Sequence, residues 1–425
     1  MLEQLTKCIN DSRDDLVALT QDLVRFPTIN PPGDAYRPCV EYIAKRLQRS
    51  GFQCEFFTAV DYPGHTDKYP RINVIGRREG KRPGKTIHFN SHIDVVPAGH
   101  GWTFDPFGAA IHDGKIFGRG TCDMKGGLAT SIIAAEAYIR CFPDYAGVIE
   151  ISGTVDEESG GFGGVAYLAE KGMFSKPRVD HVIIPEPLNK DRICLGHRGV
   201  WWAEIETHGH VAHGSMPFLG DCAVRHMGAV MESFEKELFP ALAAKQTQMP
   251  VVPEGARKST MNINGIRGGQ TDGFTGLPSP NVPDSCKMTI DRRYLLEENV
   301  EDVRSEVVNI LDQLKVSRPK FDYSLRELWS VEPTMTDRDA PVVQAVADAI
   351  RAEFGKEPDF VISPGTYDQK HIARIGHLHD CIAYGPGVLD LAHQPDEWIG
   401  IDDMVQSAKV MANAIHILLS DAALS

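Results

Sequence analysis

The chain opens on a helical period. Leu16, Leu19, Leu23 and Val24 share one face, Pro27 stops the pattern, and Tyr42 to Leu47 resumes it. Short apolar runs follow in TIHFNSHIDVV, GVIEISGTVDE and VDHVIIPEP, each ending in loop-forming Gly, Pro or Asp. Between the first two lies GLATSIIAAEAYIRCF, whose alanines and isoleucines predict a buried helix. Strands alternating with helices predict an α/β unit: a mixed, mostly parallel sheet with helices on both faces. In such sheets ligands gather beyond the carboxyl ends of the strands. Each of these runs ends in an acid or a histidine.

The middle of the chain has a different rhythm. GVWWAEIETHG alternates as a strand, CAVRHMGAVMESFEKELF reads as a helix, and STMNINGIRGG and DSCKMTIDRRY read as two more strands. A helix (ENVEDVRSEVVNILDQL) and a strand around FDYSLRELW complete a β-α-β-β-α-β unit, a small α+β domain. Alternation puts Trp201 and Trp202 on opposite faces, one for the core and one for a partner surface. After Pro333 the α/β pattern returns with PVVQAVADAIRAEFG, DFVIS and a last helix from Asp402 to Leu419. The expected organisation is a catalytic domain of residues 1–199 and 332–425, interrupted by an inserted second domain of residues 200–331.

Composition narrows the classes. A length of 425 residues fits two or three compact units at roughly 100–200 residues each. A net charge of −14 argues against nucleic acid or an anionic membrane as partner. Nine scattered cysteines without a CxxC point to reduced thiols. No unbroken apolar stretch reads as a signal peptide or anchor, so the expected location is cytoplasmic. The 16 histidines direct attention to clusters of His and acid.

Those clusters stand at strand ends. His92 and Asp94 close one run in SHIDVVPAG, and Asp123 sits in GRGTCDMKGG just before the buried helix. Glu157 and Glu158 close TVDEESGG, Glu186 ends IIPEP, and His393 lies in LAHQPDEW. Singly, an HxD or an EE pair is most often structural. Together at one sheet edge they form a set of nitrogen and oxygen ligands suited to zinc, with manganese or cobalt as substitutes. The H-x-D spacing lets Asp94 hold the second ring nitrogen of His92. A carboxylate has two oxygens and can span two metals, and adjacent acids at a strand end point in different directions, so one of Glu157 and Glu158 can ligate while its neighbour faces a shared water.

SHIDVVPAG, GRGTCDMKGG, TVDEESGG and AHQPDEW, in that order, resemble the motifs of the di-zinc aminoacylase, acetylornithine deacetylase and succinyl-diaminopimelate desuccinylase family. That family also includes glutamate carboxypeptidases and carnosinase-like dipeptidases. The inserted domain sits where the family places its lid, so the resemblance covers nearly the whole chain. It implies two zinc ions per subunit, His92 and Glu186 on one, Glu158 and His393 on the other, with Asp123 bridging and Glu157 as general base. It also implies a homodimer through the lid domain. The implied substrate is an N-acyl amino acid or a related small acylated amine. A dipeptide or carboxypeptidase substrate, or an N-formyl or carbamoyl compound, would use the same site.

Further residues are implied by the same resemblance. His213, four residues after Gly209 and four before Pro217, matches a lid histidine that stabilises the oxyanion, in its own subunit or across a dimer; His210 does not fit that spacing and reads as structural. Arg293 in DRRY resembles an arginine that grips a substrate carboxylate, a task suited to a guanidinium, although a strand arginine also serves as a surface ion pair. Asn281 assists it. Gly365, Thr366 and Asp368 in SPGTYDQKHI resemble a substrate-binding turn, and the same loop reads as a cap for the helix beginning near Asp368. The stretch QTDGFTGLPSP is longer than the turn many relatives use there, a candidate for setting specificity. Cys122 precedes Asp123 with no histidine in its motif to activate it, so it reads as non-catalytic. His371, His377 and His379 match no ligand pattern and read as surface. The glycines of SGGFGGVAY lack a GK[ST] ending and read as relief of crowding.

Overall fold

The computed structural model describes residues 2–269 and 279–420. Two compact units divide them. The first runs to Gly196 and takes in Met335–Val361 and the chain from Tyr367; the second is His197–Thr334 with Ile362–Thr366.

The first unit is built on a nine-stranded mixed sheet. Its order is Gln53–Thr58, Ile72–Glu79, Ala146–Thr154, Arg82–His92, His181–Ile184, Cys381–Ala383, Arg192–His197 and Thr334–Met335, with Asp359–Ser363 also paired to Arg192–His197. Parallel pairing occupies the centre, where Arg82–His92 lies between Ala146–Thr154 and His181–Ile184, and Cys381–Ala383 extends it. Antiparallel strands flank that centre on both sides. Ala146–Thr154 is buried at every position, as expected for a strand covered on both faces. The helix Gly126–Cys141 is buried around nearly its whole circumference, which explains its Ala- and Ile-rich sequence. No helix among the described residues is long and apolar enough to cross a membrane, and no disulfide joins the cysteines.

In the second unit a four-stranded antiparallel sheet runs in the order Thr260–Gly268, Ser285–Tyr294, Gly199–His208, Asp322–Val331. Its core joins Trp201, Ala203 and Ile205 to Met227 and Val230 from one helix, Phe234 just beyond it, and Val303, Val307 and Leu311 from another helix. Trp202 points the other way and meets Trp329 edge to face, ring centroids 5.9 Å apart. Two features differ from the sequence expectation. The helix expected over 222–239 is regular only over Ala223–Ser233. It widens into a π-type turn at Phe234–Leu238 and resumes as Phe239–Ala244, because Pro240 lacks the N–H that a continuous helix would use. The second unit also claims Ile362–Thr366. Arg198 secures that segment, its N–H donating to the Ser363 carbonyl at 3.2 Å and its Nε to the Pro364 carbonyl at 3.2 Å.

Candidate active site

Parallel pairing of three strands delivers the site. His92 is the last residue of its strand and pairs in register with Thr154, the last of the neighbouring one. Beyond Thr154 the chain reverses through Asp156, at φ 65°, into a single helical turn at Glu157–Ser159. Glu186 follows the strand His181–Ile184 by two residues. Parallel strands end at the same edge, so these side chains converge. Asp123 is carried by the turn Thr121–Lys125 that opens the buried helix, and His393, at φ 64°, by the loop before the strand Trp398–Gly400. Close backbone approach beneath the Glu157–Glu158 turn requires glycine: a Cβ on Gly164 would stand 1.9 Å from the Val155 carbonyl oxygen. That agrees with the crowding role read from SGGFGGVAY.

Two donor triads result, His92–Asp123–Glu186 and Asp123–Glu158–His393, each offering three ligand atoms within 4.8 Å of one another. Asp123 belongs to both. Its Oδ1 lies 3.0 Å from His92 Nε2 and its Oδ2 3.5 Å from His393 Nε2. Glu186 Oε1 is 3.9 Å from His92 Nε2, and Glu158 Oε1 is 3.1 Å from His393 Nε2. A carboxylate that turns one oxygen to each triad has the form of a bridge.

Electrostatics couple the members of this cluster. Burial lifts Glu158 to about 7 and pushes Glu186 well up, with the Asp123 charge adding to both. Burial acts on Asp123 in the same sense, but hydrogen bonds from His393 and His92 outweigh it and hold Asp123 well below its ordinary value. His393, bonded to Asp123 and Glu158, is raised to about 10. Burial opposes a charge on His92, yet Asp123 and Glu186 still raise it well above its ordinary value. Asp123 apart, packing these groups together favours bound protons, on Glu158 and Glu186 as well as on the two imidazoles. Cations in the triads would replace those protons, and the nitrogen and oxygen donors fit a dication of the zinc type.

Asp94 plays a part other than the one its spacing predicted. His92 Nδ1 meets the Asp94 backbone carbonyl at 2.9 Å, whereas the Asp94 carboxylate stands 3.6 Å away. Because Asp94 lies past the strand end, its side chain turns instead to the Glu157–Glu158 turn. It accepts the N–H groups of Glu157 at 3.2 Å and Glu158 at 3.1 Å, and the amide of Asn30 at 2.9 Å. Cys122 is buried, its thiol donating to the Val388 carbonyl at 3.2 Å, and burial pushes that thiol well up. A protonated, engaged thiol is no nucleophile.

The remaining candidates lie in the second unit. His213 is exposed, with Nδ1 2.8 Å from Ser215 Oγ, and its main chain bridges to Asn281. Arg293 already holds Asp291 with two hydrogen bonds, at 2.7 and 3.0 Å. Gly365 donates its N–H to Ser363 Oγ, and Thr366 is half-buried. His210 is exposed and bridges to Asp221 through the main chain. Of the long stretch QTDGFTGLPSP, residues 270–278 lie outside the described residues.

The structure also departs from the sequence expectation at His371 and Asp368 and brings Glu397 and Lys370 to the site. His371 is not a surface residue; it is 1% exposed, because its Nε2 reaches inward to the Gly160 carbonyl at 2.7 Å, while His377 and His379 are exposed. Asp368 stands at the start of the helix Gln369–Arg374 but makes no side-chain cap; its carboxylate turns inward to the Asn90 amide at 3.0 Å. Sequence reasoning passed over Glu397, although it lies in the same AHQPDEW motif. Glu397 Oε1 accepts the N–H groups of Gly120, Cys122 and Asp123 at 3.0, 2.9 and 3.1 Å, and Oε2 accepts from Arg119 at 2.6 Å. It also passed over Lys370, whose Nζ lies 3.1 Å from Glu157 Oε1.

Fold and site together define a metallohydrolase-like α/β protein carrying a smaller α+β unit. The model of Peptidase family M20/M25/M40 matches residues 88–417. The chain belongs to that family, and it is a hydrolase of amide bonds. It is 28% identical over 411 residues to the succinyl-diaminopimelate desuccinylase of Polynucleobacter necessarius subsp. necessarius (strain STIR1), covering 95% of this chain and 98% of the relative. The crystal structure of human carnosine dipeptidase 1 superposes with a TM-score of 0.73 at 20% identity, covering 99% of this chain and 100% of that one. The Bacillus subtilis YXEP protein, described as a dinuclear metal-binding peptidase of the M20 family, superposes with a TM-score of 0.67 at 14% identity, covering 97% and 99%.

Proposed function

We propose that the protein is a di-zinc deacylase that removes an acyl group from an N-acyl amino acid or a related small acylated amine. The observation that carries this reading is the pair of donor triads sharing Asp123. His92 and Glu186 would hold one zinc, Glu158 and His393 the other, and Asp123 both. Zinc bound there supplies Lewis-acid polarisation of the amide carbonyl and lowers the pKa of water. Glu157, on the turn anchored by Asp94, takes the proton of the attacking water and passes it to the leaving amine nitrogen. His213, with Asn281 and Arg293, and the turn Gly365–Thr366 act on the substrate, Arg293 on a carboxylate. Arg293 reaches one only by sharing or exchanging Asp291.

The full-length succinyl-diaminopimelate desuccinylase relatives favour a dicarboxylic acyl group on the amine. The test is amine release from N-succinyl, N-acetyl, N-formyl and N-carbamoyl amino acids and from dipeptides, by zinc-restored protein with a chelated control. Zinc-dependent release from one N-acyl class supports the reading. Preference for dipeptides replaces it with a metallo-exopeptidase, and preference for formyl or carbamoyl compounds with the corresponding hydrolase. The reading includes a cytoplasmic homodimer formed through the second unit. Mixing inactive Glu157→Ala and His213→Ala subunits restores activity if His213 acts across that dimer; verified exchange without recovery assigns it to its own subunit.

A further inference from the structure

Glu157 and Glu158 are adjacent, chemically identical, and held by one anchor. The carboxylate of Asp94 accepts both of their N–H groups, so the backbone does not distinguish them. What separates them is the partner each side chain meets. Glu158 turns to the imidazole of His393, itself a metal-ligand candidate. Glu157 turns to Lys370, whose side chain is 2% exposed and whose ammonium lies 3.1 Å from Glu157 Oε1.

Burying an ammonium is costly unless it is paired, and the charges acting on Lys370 are those of Glu157, Asp368 and Glu186. Asp368 is itself fixed, by Asn90 on one oxygen, while the other rests against Gly161 without a hydrogen bond. Lys370 belongs to the short helix Gln369–Arg374, which places it on the first unit's own framework. An ammonium donates hydrogen bonds and, protonated, ligates no metal. A carboxylate beside dications, by contrast, is a ready ligand unless something holds it.

We propose that Lys370 is a positioning residue that holds the Glu157 carboxylate off the metal centre, leaving the face between the triads open to the attacking water. The inference rests on the metal-centre reading above. In it, Lys370 makes a base of one member of the glutamate pair and His393 makes a ligand of the other.

The test uses cobalt(II) as a spectroscopic probe in the metal-freed full-length protein. Wild type, K370R, K370M and the double variant E157Q/K370M are titrated with cobalt, and the visible d–d bands are recorded without substrate. Higher coordination number weakens those bands. K370M is expected to lose band intensity as Glu157 moves onto the metal. K370R is expected to keep the wild-type spectrum, and E157Q/K370M to regain it, since the extra ligand is gone. A K370M spectrum equal to wild type overturns the inference. So does a K370M chain that fails to fold while E157Q/K370M folds, because Lys370 would then serve only to neutralise a buried charge. A crystal structure of the cobalt-loaded wild type decides independently of any variant: Glu157 on Lys370 and off the metal supports the inference, and Glu157 as a ligand overturns it. Wild type that takes up no cobalt refutes the metal-centre reading itself, whereas uptake with an unchanged K370M spectrum refutes this inference alone.

Discussion

Replacing Glu397 by glutamine separates the shape of the Asp123 loop from its composition, because no proposed metal ligand is altered. Glu397 is fully buried and both of its oxygens are committed, one to three backbone N–H groups and the other to Arg119, which is 2% exposed. Glutamine offers one accepting and one donating end. If its oxygen keeps the three N–H groups, its amide faces the guanidinium donor to donor; if it flips, the N–H groups lose their acceptor. Either way Arg119 is left as an uncompensated buried charge, a loss of about 3–5 kcal/mol in comparable pairs. Removing such supporting hydrogen bonds from metal ligands weakens metal binding about 10–100-fold. Burial lifts the Glu397 carboxyl to about 6, so the measurement belongs about two pH units above that, where wild type is ionised. Zinc affinity is read by competition with a chromophoric chelator, and the stability of the metal-free chain by urea unfolding. Zinc affinity within about twofold of wild type would refute the argument, because the loop would then hold Asp123 without its clamp.

Other perturbations probe neighbouring parts of the site. Glu157→Gln should keep both metals, measured by elemental analysis, and lower kcat by about 10²–10⁴, the range for loss of a general acid–base group. Asp123→Ala should lose metal from both triads together, whereas Glu186→Ala and His393→Ala should each first weaken one site; stepwise loss from Asp123→Ala would deny the bridge. Chelation should abolish activity in wild type, and added zinc should restore it. Lys125, fully buried with its ammonium on the Phe26 carbonyl, is pushed down to about 8 from 10.5. The unfolded chain therefore holds that proton to higher pH than the folded one, so this group adds stability as pH rises from about 8 to 10.5 and loses it on the way back, roughly 3 kcal/mol in all. In urea unfolding, Lys125→Met should remove that rise relative to wild type, and parallel profiles would refute the assignment.

The parts of the site visible in sequence are those in which residue type and strand end coincide. His92, Glu158 and Glu186 are legible because several strands of one sheet end in an acid or histidine, a coincidence that no single such ending carries, and the structure assembles them around Asp123. Glu397 and Lys370 escaped for a common physical reason. They act through partners 274 and 213 positions away, and their role lies in what they touch rather than in a local spacing. Asp94 was found but misread, since strand alternation predicts its direction only as far as the strand continues, and His92 is the last strand residue. His371 was misplaced because a short helix in a loop-rich stretch gives no periodicity from which to read burial. In the fold, the α+β insertion followed from a change of period, but the return of Ile362–Thr366 to it did not, because DFVIS reads as one strand and the boundary falls within it.

The division of residues between the two units gives the functional reading a structure of its own. Every residue of the donor triads, with Asp94, Glu157, Lys370 and Glu397, belongs to the first unit. His213, Asn281, Arg293, Gly365 and Thr366 all belong to the second. On the proposed reading, metal uptake and acyl selectivity fall to separate sets of side chains and should respond separately. Changes at Arg293 or Thr366 should move KM and the preferred acyl group while zinc content stays at the wild-type level. Changes at Glu397 should move zinc affinity while the order of preference among substrates is preserved. A variant of Arg293 that sheds metal would break this separation and require the second unit to support the metal centre directly. Preservation of metal with altered selectivity would explain how one set of metal-holding motifs can accompany different acyl groups, since the residues that choose the substrate are not those that activate the water.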